Sequence, residues 1–299
     1  MGYAGSKKLS SINFRTLSTP VGKVIARFAV VADTHISIDR ENRRGRLFTE
    51  SSWLLRETLE VIDNENCEAI IMPGDVTDRA DSKEVNKAES LLSSYNGKMF
   101  IVPGDHDMGK EAKNEEANIF INKLCSRGIP FSLTWNGLKV LGIDTSSGRL
   151  DEEQLILLRE ALSGKDPVII VSHYNLLKGS MDSEKEAVID NFKEAYGLFL
   201  SSNAPWVIYS GHVNIPFRMK MPNGWQINTP QVVQYPCGFL IVDIYREGLF
   251  HQFVPIKSEI LRDYSLKMLG QDSSPFFKPG YRYGNLDGRS FFLSWKSCR

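Results

Sequence analysis

The sequence has no excess of charge of either sign. Thirty-six Lys and Arg stand against 36 Asp and Glu over 299 residues, which removes the broad positive field that general nucleic-acid binding calls for. Its four cysteines, Cys67, Cys125, Cys237 and Cys298, are far apart and form no C-x-x-C pair. A zinc knuckle and a redox dithiol are therefore excluded, and a reducing, cytoplasmic setting is expected. No apolar run approaches the roughly 20 residues that cross a bilayer. Lys7, Lys8, Arg15, Lys23 and Arg27 break up any apolar signal core near the N-terminus, so neither a transmembrane segment nor export is expected. Met1-Gly2 with Ser6 matches a myristoylation pattern too short to carry weight. Repeats, low-complexity segments and a linker-like break in composition are also missing. Histidine is scarce, five in all, and its placement is correspondingly informative.

At 42% hydrophobic and 24% charged residues, the composition is that of a globular chain, and one α/β domain can reach this length. The pattern divides it into an N-terminal arm (1–26), a main domain (27–257) and a C-terminal helix and tail (258–299) packed on that domain. Short apolar runs recur, each ending in a polar tip. Run 27–32 ends in Asp33-Thr34-His35, 68–72 in Pro73-Gly74-Asp75, and 99–102 in Pro103-Gly104-Asp105-His106-Asp107. Run 167–171 ends in Ser172-His173 and 206–209 in Ser210-Gly211-His212. Four of the five histidines lie at these tips, and the carboxyl ends of strands are where ligands collect in an open α/β sheet. Helices are expected at 49–64, capped by Thr49, and at 82–95, 110–127, 151–162, 183–200 and 258–269. Asn136-Gly137 marks a tight hairpin between 131–135 and 138–143. Short strands over 217–254 read as a second sheet, and the tail after residue 269 has no fold signal of its own. The expected architecture is α/β, two mixed sheets face to face with helices outside.

Asp33 and His35 stand at i and i+2, so on an extended backbone both side chains point the same way. The Asp75 carboxylate can bridge two cations. Asp105, His173 and His212 supply further ligands, and Asn214 repeats the i, i+2 spacing after His212. Mixed carboxylate and imidazole donors suit Mn, Fe or Zn, and this many donors point to two metals. His106 on an extended backbone would face away from Asp105, toward a phosphate oxygen or a leaving group, with Asp107 holding its tautomer or charge.

These tips resemble the calcineurin-like metallophosphoesterases, whose pattern is D-x-H, G-D-x-x-D, G-N-H-[DE], a lone His, and G-H-x-H. Here it reads Asp33-Thr34-His35, Gly74-Asp75-Val76-Thr77-Asp78, Gly104-Asp105-His106-Asp107, His173, and Gly211-His212-Val213-Asn214. The resemblance implies a four-layer α/β/β/α sandwich with Asp33, His35, Asp75 and Asn214 around one metal and Asp75, Asp105, His173 and His212 around the other. It also implies hydrolysis of a phosphate ester by hydroxide held between two metals about 3.5–4 Å apart. Two positions depart from the pattern, Asp105 for the usual Asn and Asn214 for the usual last His. Both are oxygen donors, and Asp105 adds a negative charge. That favours Mn2+ first, with Fe, Mg2+ or Zn2+ as alternatives, and a higher pH optimum.

The cyclic-nucleotide phosphodiesterase branch looks nearest, so the expected substrate is a small phosphodiester, a cyclic nucleotide among the candidates. A nucleotide pyrophosphatase or phosphomonoesterase is the alternative. A non-catalytic interaction scaffold with a degraded metal site is a reading of another class, which the presence of His106 and Asp107 disfavours. The chain is also read as a candidate homo-oligomer. Other residues have plainer readings. Asp78 reads as a residue supporting the ligands from behind or capping its loop, His251 as a structural strand histidine, and Trp53, Trp135, Trp206 and Trp225 as core residues, Trp225 also lying in hairpins that substrate could reach. Tyr174 and Asn175 either line the pocket or only shape their loop. Arg40, Arg43, Arg44 and Arg46 read first as a solvated loop and second as a patch that steers phosphate.

Overall fold

The computed structural model describes residues 20, 22–108, 114–125, 127–178, 188–273, 279–284 and 289–298. Residues 1–19 of the expected arm and the expected helical stretches at 110–113 and 183–187 lie outside the described residues. In chain order the elements are β1 (Ala26–Val30), α1 (Ser51–Asn64), β2 (Ala69–Pro73), α2 (Ser82–Leu92), β3 (Lys98–Val102), a short α3 (Asp105–Met108) and α4 (Asn114–Leu124). Then come β4 (Phe131–Trp135), β5 (Leu138–Gly142), α5 (Glu152–Ser163), β6 (Val168–Val171), α6 (Phe192–Leu200), β7 (Trp206–Ser210), β8 (Phe217–Met221) and β9 (Gly224–Asn228). The chain closes with β10 (Gly238–Tyr245), β11 (Gly248–Pro255), α7 (Glu259–Gln271), α8 (Pro279–Arg282) and β12 (Ser290–Ser294).

The strands form two six-stranded mixed sheets, ordered β12-β11-β10-β1-β2-β3 and β4-β5-β6-β7-β9-β8. β1 shows why the strands read as unbroken apolar runs. Phe28 and Val30 share the core between the sheets with Val140, Ile169 and Val207, whereas Ala29 and Val31 share an outer core with Leu54 and Leu55 of α1. Across the molecule, Val168 and Ile170 of β6 lie in the core with Leu158 of α5 and Phe199 of α6. A strand covered on both faces has no polar side to alternate with. The layers are thus α/β/β/α, as expected.

The sheets are not the two halves of the sequence. β8 and β9 extend the second sheet, but the β10–β11 hairpin returns to pair antiparallel with β1. The tail then contributes β12, paired with β11. A hairpin signal identifies the partner across the turn and is silent about the distant strand beside which the hairpin docks, here about 200 residues away. Helix starts also shift. Asp81, Asp151 and Ser258 cap α2, α5 and α7 by accepting from backbone N–H groups. Thr49, however, does not cap α1, which begins at Ser51 with Glu50 at the cap position and no side-chain capping bond. Trp53 is 46% exposed rather than in a core, while Trp135 and Trp206 are buried.

His251 ties the sheets together. It sits on β11 of the first sheet, with Nε2 2.7 Å from the Tyr209 hydroxyl on β7 of the second, and its ring stacks on Phe291 at 4.3 Å. Burial pushes its pKa from the ordinary 6.5 down to about 3. Between those values the unfolded chain binds the proton and the folded chain does not, so stability is lost as the pH falls through this window. One such proton is worth about 1.4 kcal/mol per pH unit. Thermal unfolding of the wild type should therefore lose more stability from pH 7 to pH 4 than unfolding of His251→Leu does. Parallel pH profiles for the two proteins would show that burial does not hold this histidine neutral.

Candidate metal centre

All five tips converge at the carboxyl ends of β1, β2, β3, β6 and β7. Asp33 and His35 do face one point, but not on an extended backbone. Their φ values are 52° and 40°, and Asp75, His212 and Asn214 stand at 52°, 60° and 62°. A non-glycine residue held in this left-handed region costs on the order of 1–3 kcal/mol, so five of them around one point mark a place where the surrounding fold dictates the geometry. Backbone hydrogen bonds do part of this. Asp33, His35 and Ile36 donate N–H groups to Gly74, Asp75 and Val76 at 3.2, 3.0 and 2.8 Å, which joins the first tip to the second. Two glycines permit the remaining close approaches. A Cβ on Gly104 would strike the Asp75 carboxylate, and one on Gly211 would strike that of Asp33.

His173 lies at the centre. Its Nδ1 is 2.9 Å from the Pro73 carbonyl, an atom that can only accept, so this nitrogen carries the proton. Nε2 is thereby aimed at Asp105 Oδ1, at 2.9 Å, and Asp75 Oδ1, at 3.3 Å. A ring fixed through its far nitrogen by a backbone carbonyl is the usual support of a metal-binding histidine. His212 Nδ1 is 3.2 Å from the same Asp105 oxygen, and the Tyr174 ring stacks on His212 at 4.1 Å. On the other side of Asp75, its Oδ2 is 3.7 Å from His35 Nε2, which also stands 3.9 Å from Asp33 Oδ1. Asn214 donates its amide to the His212 carbonyl at 2.7 Å, leaving its side-chain oxygen uncommitted.

The donors fit a pair of divalent cations. The Nε2 of His35 and the side-chain oxygen of Asn214 are buried without a hydrogen-bond partner, a condition that costs about 1–3 kcal/mol per group unless something else satisfies it, while His35 Nδ1 faces Asp78 Oδ1 at 3.6 Å. Three sets of donor atoms lie within 4.8 Å of one another, namely His35, Asp75 and His106; Asp33, Asp75 and His173; and Asp105, His173 and His212. Electrostatics agree with the geometry. Burial, reinforced by the charge of Asp75, raises the Asp33 carboxyl well above the carboxylate range, the response of a site rich in negative charge. Burial and the Arg46 charge push the His35 imidazolium down to about 3, leaving the neutral ring that binds metals. Burial works against the Asp105 carboxylate too, but hydrogen bonds from His173 and His212 overcome it and keep it ionised.

His106 and Asp107 are not arranged as the spacing implied. Residues Asp105–Met108 form a helical turn, not an extended segment, and the turn carries Asp107 inward. Its carboxylate accepts from the N–H groups of Val76, Thr77 and Gly104 at 3.1, 2.8 and 3.0 Å and from the Thr77 hydroxyl at 2.8 Å, tying the second tip to the third. The carboxylate beside His106 is that of Asp78. His106 Nδ1 is 2.6 Å from the Asp78 carbonyl and 3.5 Å from its Oδ1, and Asp78 also ion-pairs with Arg40. Burial lowers the His106 pKa, but the Asp78 hydrogen bond and the Asp75 charge outweigh it and hold it at about 9. The ring meets His35 edge-on at 4.7 Å, so His106 is near the donors instead of turned from them.

Asn175 proves to be a loop residue, its side-chain oxygen accepting from Ser210 and Asn228 at 2.7 Å each. Sequence reasoning missed Thr145, whose hydroxyl accepts from the N–H groups of His173 at 3.0 Å and Tyr174 at 2.9 Å. It follows the end of β5, a sixth strand tip whose acid, Asp144, accepts from Ser146 of its own turn. Also missed was Arg282, which is buried and donates to the Val213 carbonyl at 2.8 Å from far along the chain.

Comparison with known proteins accords with this arrangement. Residues 26–216 match the family model described as calcineurin-like phosphoesterase. No curated protein matches the sequence significantly. Among solved structures the chain is similar to a dimetal phosphatase from Danio rerio, with 12% identity over 77% of this chain and 96% of that one and a TM-score of 0.61. It is also similar to GAP50, described as the anchor in the inner membrane complex of Plasmodium, with 14% identity over 78% and 85% and a TM-score of 0.55. A third is the purple acid phosphatase PPD1 from yellow lupin (Lupinus luteus) seeds, with 11% identity over 78% and 52% and a TM-score of 0.57. At such identities these likenesses speak for the fold alone. The family match covers more than half of the chain and contains all five tips in order, and the protein therefore belongs to the calcineurin-like phosphoesterases, a family of phosphoric ester hydrolases.

Proposed function

We propose that the protein hydrolyses a small phosphodiester, with cyclic nucleotides among the candidate substrates, at a centre of two divalent cations. Family membership implies a dinuclear site, and the further assignment is ours. Asp33, His35, Asp75 and Asn214 would hold one cation, and Asp75, Asp105, His173 and His212 the other. The observation that carries this reading is the Asp75 carboxylate, whose two oxygens face imidazoles on different loops, Oδ1 toward His173 and Oδ2 toward His35. A single carboxylate so placed can serve two ions at once. When bound, the cations supply charge neutralisation at phosphorus and a water acidic enough to act as nucleophile near neutral pH. The oxygen-rich donor set, with ionised Asp105 and the amide of Asn214, favours Mn2+ over Zn2+.

The protein's own groups do the rest. The Asp105–Met108 turn is held by Asp107, so the third tip keeps Asp105 facing His173 and His212 when substrate arrives. The Nδ1 of His106 is engaged by the Asp78 carbonyl, which leaves its Nε2 to donate to the leaving oxygen or to a phosphoryl oxygen. Asp107 acts through position alone, by keeping the second and third tips in register. Tyr174, stacked on His212, forms part of the wall a substrate meets.

An assay of cyclic nucleotides, dinucleotides, nucleoside diphosphate sugars and p-nitrophenyl mono- and diesters with each divalent metal tests this, and diester hydrolysis supported best by Mn2+ is the expected result. Faster turnover of monoesters or diphosphates would move the substrate assignment. In Asp75→Asn, metal content and hydrolysis should both collapse, whereas Asn214→Ala should lose much less metal, because an anionic bridge attracts a dication more than a neutral amide does. Equal retention of metal in the two purified variants would refute the bridge. His106→Ala should keep its metal while turnover falls about 10²–10⁴-fold, the range for losing a general acid. That defect should shrink on substrates with a very good leaving group. Loss of metal from this variant would make His106 a ligand.

A further inference from the structure

The last tip carries two of the proposed donors, His212 and Asn214, both in the left-handed region at φ 60° and 62°. It abuts Asp33, whose carboxylate accepts from the His212 N–H at 3.2 Å and leaves no room for a Cβ on Gly211. The two peptide units between His212 and Asn214 are held by different parts of the chain. In the first, the Val213 N–H donates to the Gly211 carbonyl at 2.6 Å, and the His212 carbonyl accepts from the Asn214 side chain at 2.7 Å. Those bonds begin and end within the tip. In the second, the Val213 carbonyl accepts from Arg282 Nη1 at 2.8 Å, a residue 69 positions further along the chain. Arg282 is only 6% exposed, and burying a guanidinium is costly unless its donors are well placed. The stretch that delivers it is fastened in turn. The Tyr283 carbonyl accepts from Arg289 at 3.2 Å, and the Arg289 guanidinium lies 3.9 Å over the Tyr283 ring. A Cβ on Gly284 would strike the Pro216 carbonyl, so the backbone after Arg282 lies directly against the residues that follow Asn214.

A peptide unit is planar, so a bond that fixes the Val213 carbonyl also fixes the Asn214 nitrogen, and with it the axis about which φ of Asn214 turns. A left-handed φ is a conformation that the chain abandons unless its surroundings hold it, and a charge-assisted hydrogen bond is among the stronger ways to hold it. What this bond orients is an amide whose oxygen is buried with no hydrogen-bond partner. We propose that Arg282 is a positioning residue for the metal centre, holding the 213–214 peptide so that the free side-chain oxygen of Asn214 stays with Asp33, His35 and Asp75 at the first cation. This role rests on the two-cation reading above. His212 does not depend on Arg282 in the same way, since the peptide unit that follows it is secured within the tip, so the second cation keeps its donors when Arg282 is lost.

The probe is Mn2+, titrated calorimetrically into the metal-free protein for wild type, Arg282→Met, Arg282→Lys, Asn214→Gly and the double variant Arg282→Met/Asn214→Gly. Glycine at 214 removes the amide and still accepts the left-handed φ. Thermal unfolding is followed with and without Mn2+. Arg282→Met should weaken one of the two cations by about tenfold, as expected for losing a charge-assisted hydrogen bond, and leave the other unchanged. Arg282→Lys should recover part of the loss. In the Asn214→Gly background Arg282→Met should have no further effect on affinity, because a residue that acts through Asn214 has nothing left to act on. Mn2+ should also raise the unfolding temperature of Arg282→Met less than that of the wild type, a difference that a purely structural role would not produce. If Arg282→Met does not fold, Arg282→Lys takes its place in the same cycle. Equal weakening of both cations, or an Arg282 effect of the same size with and without Asn214, would overturn the proposal. If the wild type binds two Mn2+ and the Arg282 variants bind them as tightly, the proposal falls and the two-cation reading stands. If the Arg282–Asn214 coupling occurs in a protein that cleaves none of the esters, the hydrolytic reading falls and the positioning role stands. No Mn2+ binding by the wild type would overturn both.

Discussion

Asp33 and Asp75 are both buried, and the charge of Asp75 opposes the ionisation of Asp33. Like charges in a low-dielectric interior repel far more strongly than in water, and Asp105 and Asp78 add to the same field. Such a cluster persists only where positive charge is supplied and the backbone cannot relax away. Arg40 and Arg46 supply some of that charge from the protein. The remainder is the opening for divalent cations, and the neutral His35 and the free oxygen of Asn214 are the donors that would receive one.

The two sheets explain why the backbone cannot relax. β1, β2 and β3 run parallel in one sheet and β6 and β7 in the other, so five strands deliver their carboxyl ends to one edge of the sandwich. Each tip is then locked to its neighbours, Asp33 and His35 to the Gly74–Val76 backbone and Asp107 to Val76, Thr77 and Gly104. The left-handed conformations at five donors are stable within that lattice of bonds, and a free loop of the same sequence would abandon them.

Much of the centre was legible in the sequence because its signals are local. An apolar run followed by Gly-Asp or Gly-His announces a strand end, and Asn136-Gly137 announces its hairpin. The layers followed from the same runs. What was illegible depended on geometry over distance. The return of β10 to β1 is a pairing across about 200 residues, and β12 has no pattern until β11 is there to pair with it. The exchange of roles between Asp78 and Asp107 turns on residues 105–108 forming a helical turn, which four residues of mixed propensity do not reveal. Thr145 and Arg282 act through hydrogen bonds to backbone groups, and a lone Thr or Arg carries no signature of that use.

Arg282, on the far side of β11 and α7 in sequence, holds the Val213 carbonyl between His212 and Asn214, and Ser265 holds both the Gly45 carbonyl and the Tyr235 N–H. Both residues lie beyond the segment that matches the family model. During synthesis from the N-terminus, every donor of the centre leaves the ribosome before these fasteners exist. The nascent chain therefore presents all the proposed metal donors before Arg282 and Ser265 are there to secure the loops that carry them.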